Sequence, residues 1–336
     1  MTKILRLNRF GGIENLTLDD VDLKNLDKDE ALINVKATGI TGDNLSFIKG
    51  RVLPGEEGSD SIFPATLGYE ATGIVEAVGM NVDNQWVGKR VAPVGPYDFL
   101  SYGSIGEKAI VPANRLIEIP EKLSFEEAAG LWVPYLTAAP IQLYGNLEIG
   151  DYAVITAGTS TVGNAAIQYV TASGATPIAT TRSRKKAEIL QTNTGIKDVI
   201  ITSEENYLSR INEITQGKGS KLVFDSIGGT FIDDLASGMT NGGTIIEYGV
   251  LGGLEAPLPV SQILSKGLSI RGFAVNEIVE NEELFSKATD YVLSQIENGV
   301  FKPKIAATFS LEDYQAAFEQ LIKNDKLGRI ILIPNK

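Results

Sequence analysis

The stretch Tyr152-Ala153-Val154-Ile155-Thr156 is apolar and partly β-branched, and it leads into the small residues Ala157-Gly158-Thr159-Ser160-Thr161-Val162-Gly163. An alanine-bearing segment, Asn164-Ala165-Ala166-Ile167-Gln168, follows directly. Residues of these types in this order can bind a pyrophosphate. The apolar run reads as a buried parallel strand. The small residues let backbone approach a bound group, and the helix points free amides and its positive dipole end at it. Gly158 and Gly163 take the first and third positions of a G-x-G-x-x-G pattern, with Ser160 in the second. Backbone at Ser160, Thr161 and Val162 is therefore expected to face the phosphates, and Gly163 to let the helix pack closely.

A second chemical cluster lies one strand further on. A chain that prefers NAD usually carries an acid roughly 20 residues past the turn, on the ribose hydroxyls. Here Thr181 stands in that place, followed by Arg182-Ser183-Arg184-Lys185-Lys186. An acid would repel a 2′-phosphate, whereas Arg182, Ser183 and Lys186 can hydrogen-bond one, at about 1.5–3 kcal/mol per charge-assisted bond. The same residues would also suit a solvated start of a basic helix. Together with the turn upstream they predict NADP(H) as the cofactor.

The chain has no cysteine and no histidine. Disulfides and thiolate metal sites are thereby excluded, and the commonest general acid/base and commonest transition-metal ligand are both missing. No metal is expected. A net charge of −12 over 336 residues disfavours nucleic-acid partners, since no basic face is evident outside the Arg182 cluster. No apolar run approaches the roughly 20 residues of a membrane span, and the N-terminus lacks a signal pattern. A soluble, cytoplasmic enzyme of about two domains is the expectation.

The elements that must position these residues alternate between strand and helix from Tyr152 to Phe273. Strands are expected to begin at Tyr152, Thr176, Asp198, Lys221, Gly243 and Leu268. Helices are expected at Asn164–Ala172, Lys185–Gln191, Tyr207–Ile214 and Phe231–Met239. Such alternation predicts an α/β domain with a doubly wound parallel sheet, the Rossmann arrangement. Ligands bind outside the carboxyl ends of such strands, which singles out Tyr248 and Gly249 at the end of the fifth; core packing is the alternative for Tyr248. The first 120 residues read as β-rich, with Ile33, Val35 and Ala37 alternating with Asn34 and Lys36. Pro120, followed by the capping-box pair Ser124 and Glu127, marks a boundary. The division is 1–123, 124–273 and a returning segment 274–336.

The chain resembles the medium-chain dehydrogenase/reductase superfamily, in its zinc-free, quinone-oxidoreductase-like branch. The resemblance rests on Gly68-Tyr69-Glu70-Ala71-Thr72-Gly73-Ile74-Val75-Glu76-Ala77-Val78-Gly79, on Trp132-Val133-Pro134-Tyr135-Leu136-Thr137-Ala138-Ala139 and on the Ala157 to Gln168 turn. It extends to Val223-Phe224-Asp225-Ser226-Ile227-Gly228-Gly229 and to Leu327-Gly328-Arg329-Ile330-Ile331-Leu332-Ile333. It implies a GroES-like β-barrel domain, completed by the returning segment, with nicotinamide and substrate in a cleft between the lobes. Members with catalytic zinc carry cysteine and histidine where Thr41 and Gly42 stand, and histidine at Tyr69. Their cysteine-rich lobe is absent between Val91 and Gly106. Relatives pair through the edge of the dinucleotide-binding sheet, which implies a homodimer.

Without a metal to stabilise an alkoxide, a conjugated carbonyl suits the site, because hydride can add to the β-carbon while charge moves to the carbonyl oxygen. The expected function is NADPH-dependent reduction of a quinone or α,β-unsaturated carbonyl. An NADPH-binding sensor with little turnover is the alternative, and a metal-free alcohol or sugar dehydrogenase is a third possibility. Thr137 matches a family threonine at the nicotinamide end; as an ordinary helix residue its hydroxyl would bond the preceding turn. Asn44 is a candidate donor or acceptor near the nicotinamide, and Asp43 a candidate helix cap. Tyr69 is a candidate hydrogen-bond or proton donor with core packing as its alternative, while Glu70 is expected to anchor its own turn. Arg329 is a candidate for a cofactor or substrate phosphate, or a surface charge. Tyr97, Phe99 and Tyr102 are candidates to line an aromatic pocket. The acidic loop Gly55-Glu56-Glu57-Gly58-Ser59-Asp60 would disfavour an anionic substrate tail.

Overall fold

A computed structural model describes residues 1–51 and 62–334; the acidic loop 55–60 lies outside the described residues. The chain forms two compact units, one of Met1–Val133 with Pro303–Lys336 and one of Pro134–Lys302.

The second unit is built on six parallel strands, Tyr152–Ile155, Thr176–Thr181, Asp198–Ile201, Ser220–Asp225, Met239–Glu247 and Ser269–Gly272. In chain order their positions across the sheet are 3-2-1-4-5-6. The order reverses between Tyr152–Ile155 and Ser220–Asp225, which makes the carboxyl ends of those two strands the expected ligand position. Val154, Ile178, Ile200, Val223 and Ile245 are fully buried and pack with Ile211 and Leu235 from the covering helices. The inner strands Tyr152–Ile155 and Ser220–Asp225 are mostly buried along their length because both faces are covered. The fifth strand starts at Met239 rather than Gly243. Its pairing shifts register between Ser220 and Leu222, across the Asn241-Gly242-Gly243 stretch that hid its first half in the sequence.

The first unit is mostly antiparallel. Its central strand, Glu30–Ile40, pairs with Ala71–Val78, Lys108–Pro112 and the closing strand Arg329–Ile333. Ile33, Val35 and Ala37 are buried while Asn34 and Lys36 are half-exposed, as the alternation predicts. A separate sheet joins Thr2–Leu7 to Leu16–Val21 and Ala65–Thr66.

The unit boundaries differ from 123/124 and 273/274. The helix Phe125–Ala129 does carry the Ser124–Glu127 capping box. It stays with the first unit because it lies on the central strand, where a Cβ at Gly39 would sit 2.7 Å from the Ala129 carbonyl oxygen. The Thr72 hydroxyl also donates to the Phe125 carbonyl at 2.8 Å. At the other end, the helix Glu282–Glu297 stays with the second unit. Tyr291 stacks on Tyr169 at 5.6 Å between ring centroids, and Phe301 packs on Tyr135 and Tyr169.

Candidate functional site

The turn between Ile155 and the helix Thr161–Ala172 is shaped for close approach. A Cβ on Gly158 would lie 2.7 Å from the Ala179 methyl, and the Gly158 amide donates to the Thr180 carbonyl at 3.1 Å. A Cβ on Gly163 would meet the Ala157 carbonyl oxygen at 2.6 Å. Ala157 itself has φ of +46°, a region L-residues seldom enter. Ser160 is the N-cap, and its hydroxyl accepts from the Gly163 amide at 2.9 Å. The imperfect glycine of the motif thus becomes a cap that settles one free amide. The amides of Thr161 and Val162 remain as first-turn donors the helix does not use.

The basic corner lies at the end of Thr176–Thr181, where Thr181 is buried and Arg182 exposed. Ser183 caps the helix Arg184–Thr194 by backbone only, leaving its hydroxyl out of the cap. Arg184 is ion-paired with Glu204. Neither Arg182 nor Lys186 has an ion-pair partner among the described residues. Burial and then the charge of Arg182 pull the Lys186 ammonium below its ordinary value. Two cations close enough to repel, with no acid between them, fit a doubly charged anion.

Tyr248 stacks on Phe224 at 4.1 Å and 16°, and its hydroxyl lies beside Ser226 and Ser160. The ring packs as the core alternative has it, and the hydroxyl lies on the side of the Ser160 turn. A Cβ on Gly249 would meet the Ser226 carbonyl oxygen at 2.8 Å. The Thr137 hydroxyl is half-buried. Unlike those of Thr171, Thr194, Thr215 and Thr289, it makes no bond to the preceding turn among the described residues.

Sequence reasoning missed a row of polar strand ends at the same rim. Thr156 Oγ1 donates to Asp225 at 2.5 Å, and Asp225 also accepts from the amides of Ile227 (2.9 Å) and Gly228 (3.0 Å). Asp225 is in register with Glu247 on the next strand. The signal was present: two neighbouring apolar strands each end in an acid.

In the first unit, Asn44 and Thr41 form a reciprocal cap on the helix Gly42–Ile48. The Thr41 amide donates to Asn44 Oδ1 at 2.9 Å, and the Asn44 amide to Thr41 Oγ1 at 3.2 Å. Thr41, not Asp43, is therefore the cap. Asp43 instead accepts from the Tyr69 hydroxyl at 2.5 Å. Burial, followed by the Asp43 charge, holds the Tyr69 phenol well above its ordinary value, which makes it a poor proton donor. Glu70 is anchored by a residue far along the chain. Arg329, 6 % exposed, places its guanidinium 2.9 Å from the Glu70 carboxylate. Arg329 is thus neither surface charge nor a free phosphate ligand in this arrangement. Of the three loop aromatics, Phe99 packs on Phe47 at 4.9 Å, while Tyr97 and Tyr102 meet edge to face at 6.4 Å between centroids, Tyr97 against a separate core and Tyr102 under Lys24.

The chain is similar to known proteins over nearly its whole length. Residues 27–121 match the family described as alcohol dehydrogenase GroES-like domain, and 161–293 the family described as zinc-binding dehydrogenase. The chain is 27% identical to a quinone oxidoreductase of Sus scrofa over 98% of its own length and 97% of that protein. It is 28% identical to a 2-haloacrylate reductase of a Burkholderia species, covering 81% of each. The structure of Escherichia coli quinone oxidoreductase complexed with NADPH superposes with a TM-score of 0.85 at 26% identity, covering 99% of this chain and 100% of that one. A zinc ion does not fit the residues present. The chain offers no histidine or cysteine, and no group of three or more metal-binding side chains occurs among the described residues.

Proposed function

The chain belongs to the medium-chain dehydrogenase/reductase superfamily, in its quinone-oxidoreductase-like branch, and from that premise we propose that it reduces a quinone or α,β-unsaturated carbonyl with NADPH and without zinc. The observation that carries the cofactor is the pair Arg182 and Lys186, two cations without an acidic partner among the described residues, at the strand end that follows the Gly158–Gly163 turn. Thr161 and Val162 would hold the pyrophosphate through their amides, with Ser160 and Tyr248 beside it. Arg182, Ser183 and Lys186 would hold the 2′-phosphate. Thr137 offers an uncommitted hydroxyl to the nicotinamide end.

NADPH, when bound, would supply the hydride. An enone would take it at the β-carbon, its C=C π pair shifting to place charge on the carbonyl oxygen, and water would then protonate the α-carbon; a quinone would take the proton on oxygen. What the chain must provide is a donor to that oxygen and a fixed geometry. Asn44 is the residue proposed for the donor. Its Oδ1 accepts from the Thr41 amide, which fixes the orientation of the carboxamide. Tyr69 is assigned to holding Asp43 rather than to proton transfer, because its ionised form is disfavoured.

The proposed assembly is a homodimer. Ser269–Gly272 is the outer strand of the six-stranded sheet, and Leu251, Leu254, Leu258 and Leu264 beside it in sequence are all exposed. An open strand edge with apolar neighbours favours pairing. Among the described residues no helix is long and apolar enough to cross a membrane.

The test is loss of absorbance at 340 nm with NADPH, then NADH, against quinones and enones, including 2-haloacrylates. Saturable oxidation that favours NADPH is expected. NADPH binding without turnover on any of them would replace the reductase by the sensor.

A further inference from the structure

Asp225 and Glu247 end adjacent parallel strands in register, so their side chains leave the sheet on the same side. Asp225 is fully buried and well supplied, accepting from Thr156, Ile227 and Gly228. Glu247 is not. Both of its carboxyl oxygens are shut off from solvent, and neither has a donor among the described residues. The Gly228 backbone crosses just above, where a Cβ would sit 3.4 Å from Glu247 Oε1. A carboxylate in such a place lacks both water and donors, and a second carboxylate beside it adds repulsion. The neutral acid removes both problems, because its O–H can donate to Asp225.

We propose that Glu247 is a positioning residue for the dinucleotide site: as the neutral acid it donates to Asp225 and so holds the turn 226–229 at the binding rim. This role rests on the dinucleotide assignment above. The turn is bound to the next one through three amides. Tyr248 donates to the Asp225 carbonyl at 2.8 Å, Leu251 to Ser226 at 3.0 Å and Gly252 to Ile227 at 2.6 Å. Ser226 and Ser160 both flank the Tyr248 hydroxyl, so a shift of this turn reaches the phosphate cradle directly. The charged group acting on Glu247 is Asp225, and Tyr248 is the titratable neighbour on its own strand. On the flanking strand, Arg271 is in register with Ile246 and is engaged by Glu277. Burial first, then Asp225, raises the Glu247 carboxyl from 4.5 to about 8.

The folded chain keeps a proton on Glu247 between pH 4.5 and 8 that the unfolded chain releases, so this group's contribution to stability falls as pH rises through that window. The test compares wild type, Glu247→Gln and Glu247→Ala from pH 6.5 to 9.5, reading Tm without nucleotide and NADPH Kd by fluorescence. In the wild type, Kd is expected to rise about tenfold between pH 7 and 9, as the competent fraction falls one unit above the midpoint. Glu247→Gln donates at every pH and should flatten both profiles, whereas Glu247→Ala should bind weakly even at pH 7. Other titrating groups are common to all three forms. The role is overturned if Glu247→Gln keeps the wild-type profiles, or if Glu247→Ala binds like wild type at pH 7. If no form binds NADPH at any pH, the cofactor assignment falls as well; normal binding with an unchanged profile removes the positioning role alone.

Discussion

Replacing Arg182 by alanine should separate NADPH from NADH, and the size of the effect follows from the corner where it stands. Burial first, and then the charge of Arg182, lowers the Lys186 ammonium from its ordinary value. A 2′-phosphate held as proposed would accept from both. Losing the Arg182 contact removes one charge-assisted bond, about 1.5–3 kcal/mol, which is about ten- to a hundredfold in NADPH affinity. The exposed position of Arg182 puts the expectation nearer tenfold at physiological salt. NADH lacks the phosphate, so its Kd should stay within about twofold. Arg184→Ala is an internal control, since that guanidinium is occupied by Glu204; it should change neither nucleotide by more than about threefold. Fluorescence titration with both nucleotides at two ionic strengths measures all of this, and NADPH binding should be the more salt-sensitive. Equal losses for NADPH and NADH in Arg182→Ala, or a larger effect from Arg184→Ala, would refute the assignment of this corner.

Tyr69→Phe should keep kcat within about threefold, because a phenol held by Asp43 and disfavoured as an anion is not the acid; a hundredfold loss with an altered pH profile would make it one. Glu70 is raised to about 7, by burial against the opposing charge of Arg329. The folded state therefore holds its proton between pH 4.5 and 7, and wild type should lose stability relative to Glu70→Gln as pH rises from 5 to 7.5, read by urea unfolding. Arg329→Ala leaves that carboxyl buried without its partner and should destabilise by about 3–5 kcal/mol in the same assay. Gly158→Val drives a side chain into Ala179 and Leu190; thermal unfolding should show a loss of about 1–3 kcal/mol, accompanied by weaker NADPH binding.

How far the sequence reached depended on how local each feature is. Tyr152–Ile155 and the helix from Thr161 were legible because an apolar run, small residues and a helix follow one another within about 20 positions. The alternation of Ile33, Val35 and Ala37 showed a half-buried strand for the same reason. Met239–Glu247 was read only from Gly243 onward, since its first half contains the glycines that normally end a strand. The division at Val133 and Lys302 was not legible. It depends on which core Phe125, Tyr291 and Phe301 join, and all three look alike as apolar residues in helices or loops.

Legible in the chain alone were the β-rich first part and the alternating second part, the strand–turn–helix order of 152–172, the basic run 182–186 and the lack of histidine and cysteine. Each is a matter of residue type and short spacing. The tertiary structure alone decided the state of the ionisable groups. Arg329 and Glu70 are 259 positions apart and meet only in the closed sheet. Asp43 accepts from Tyr69 across 26 positions instead of capping its helix. Glu247 faces Asp225 because two strands align in register. The charge of a side chain depends on the water it loses and the partners it gains, and folding assigns both through contacts between distant segments.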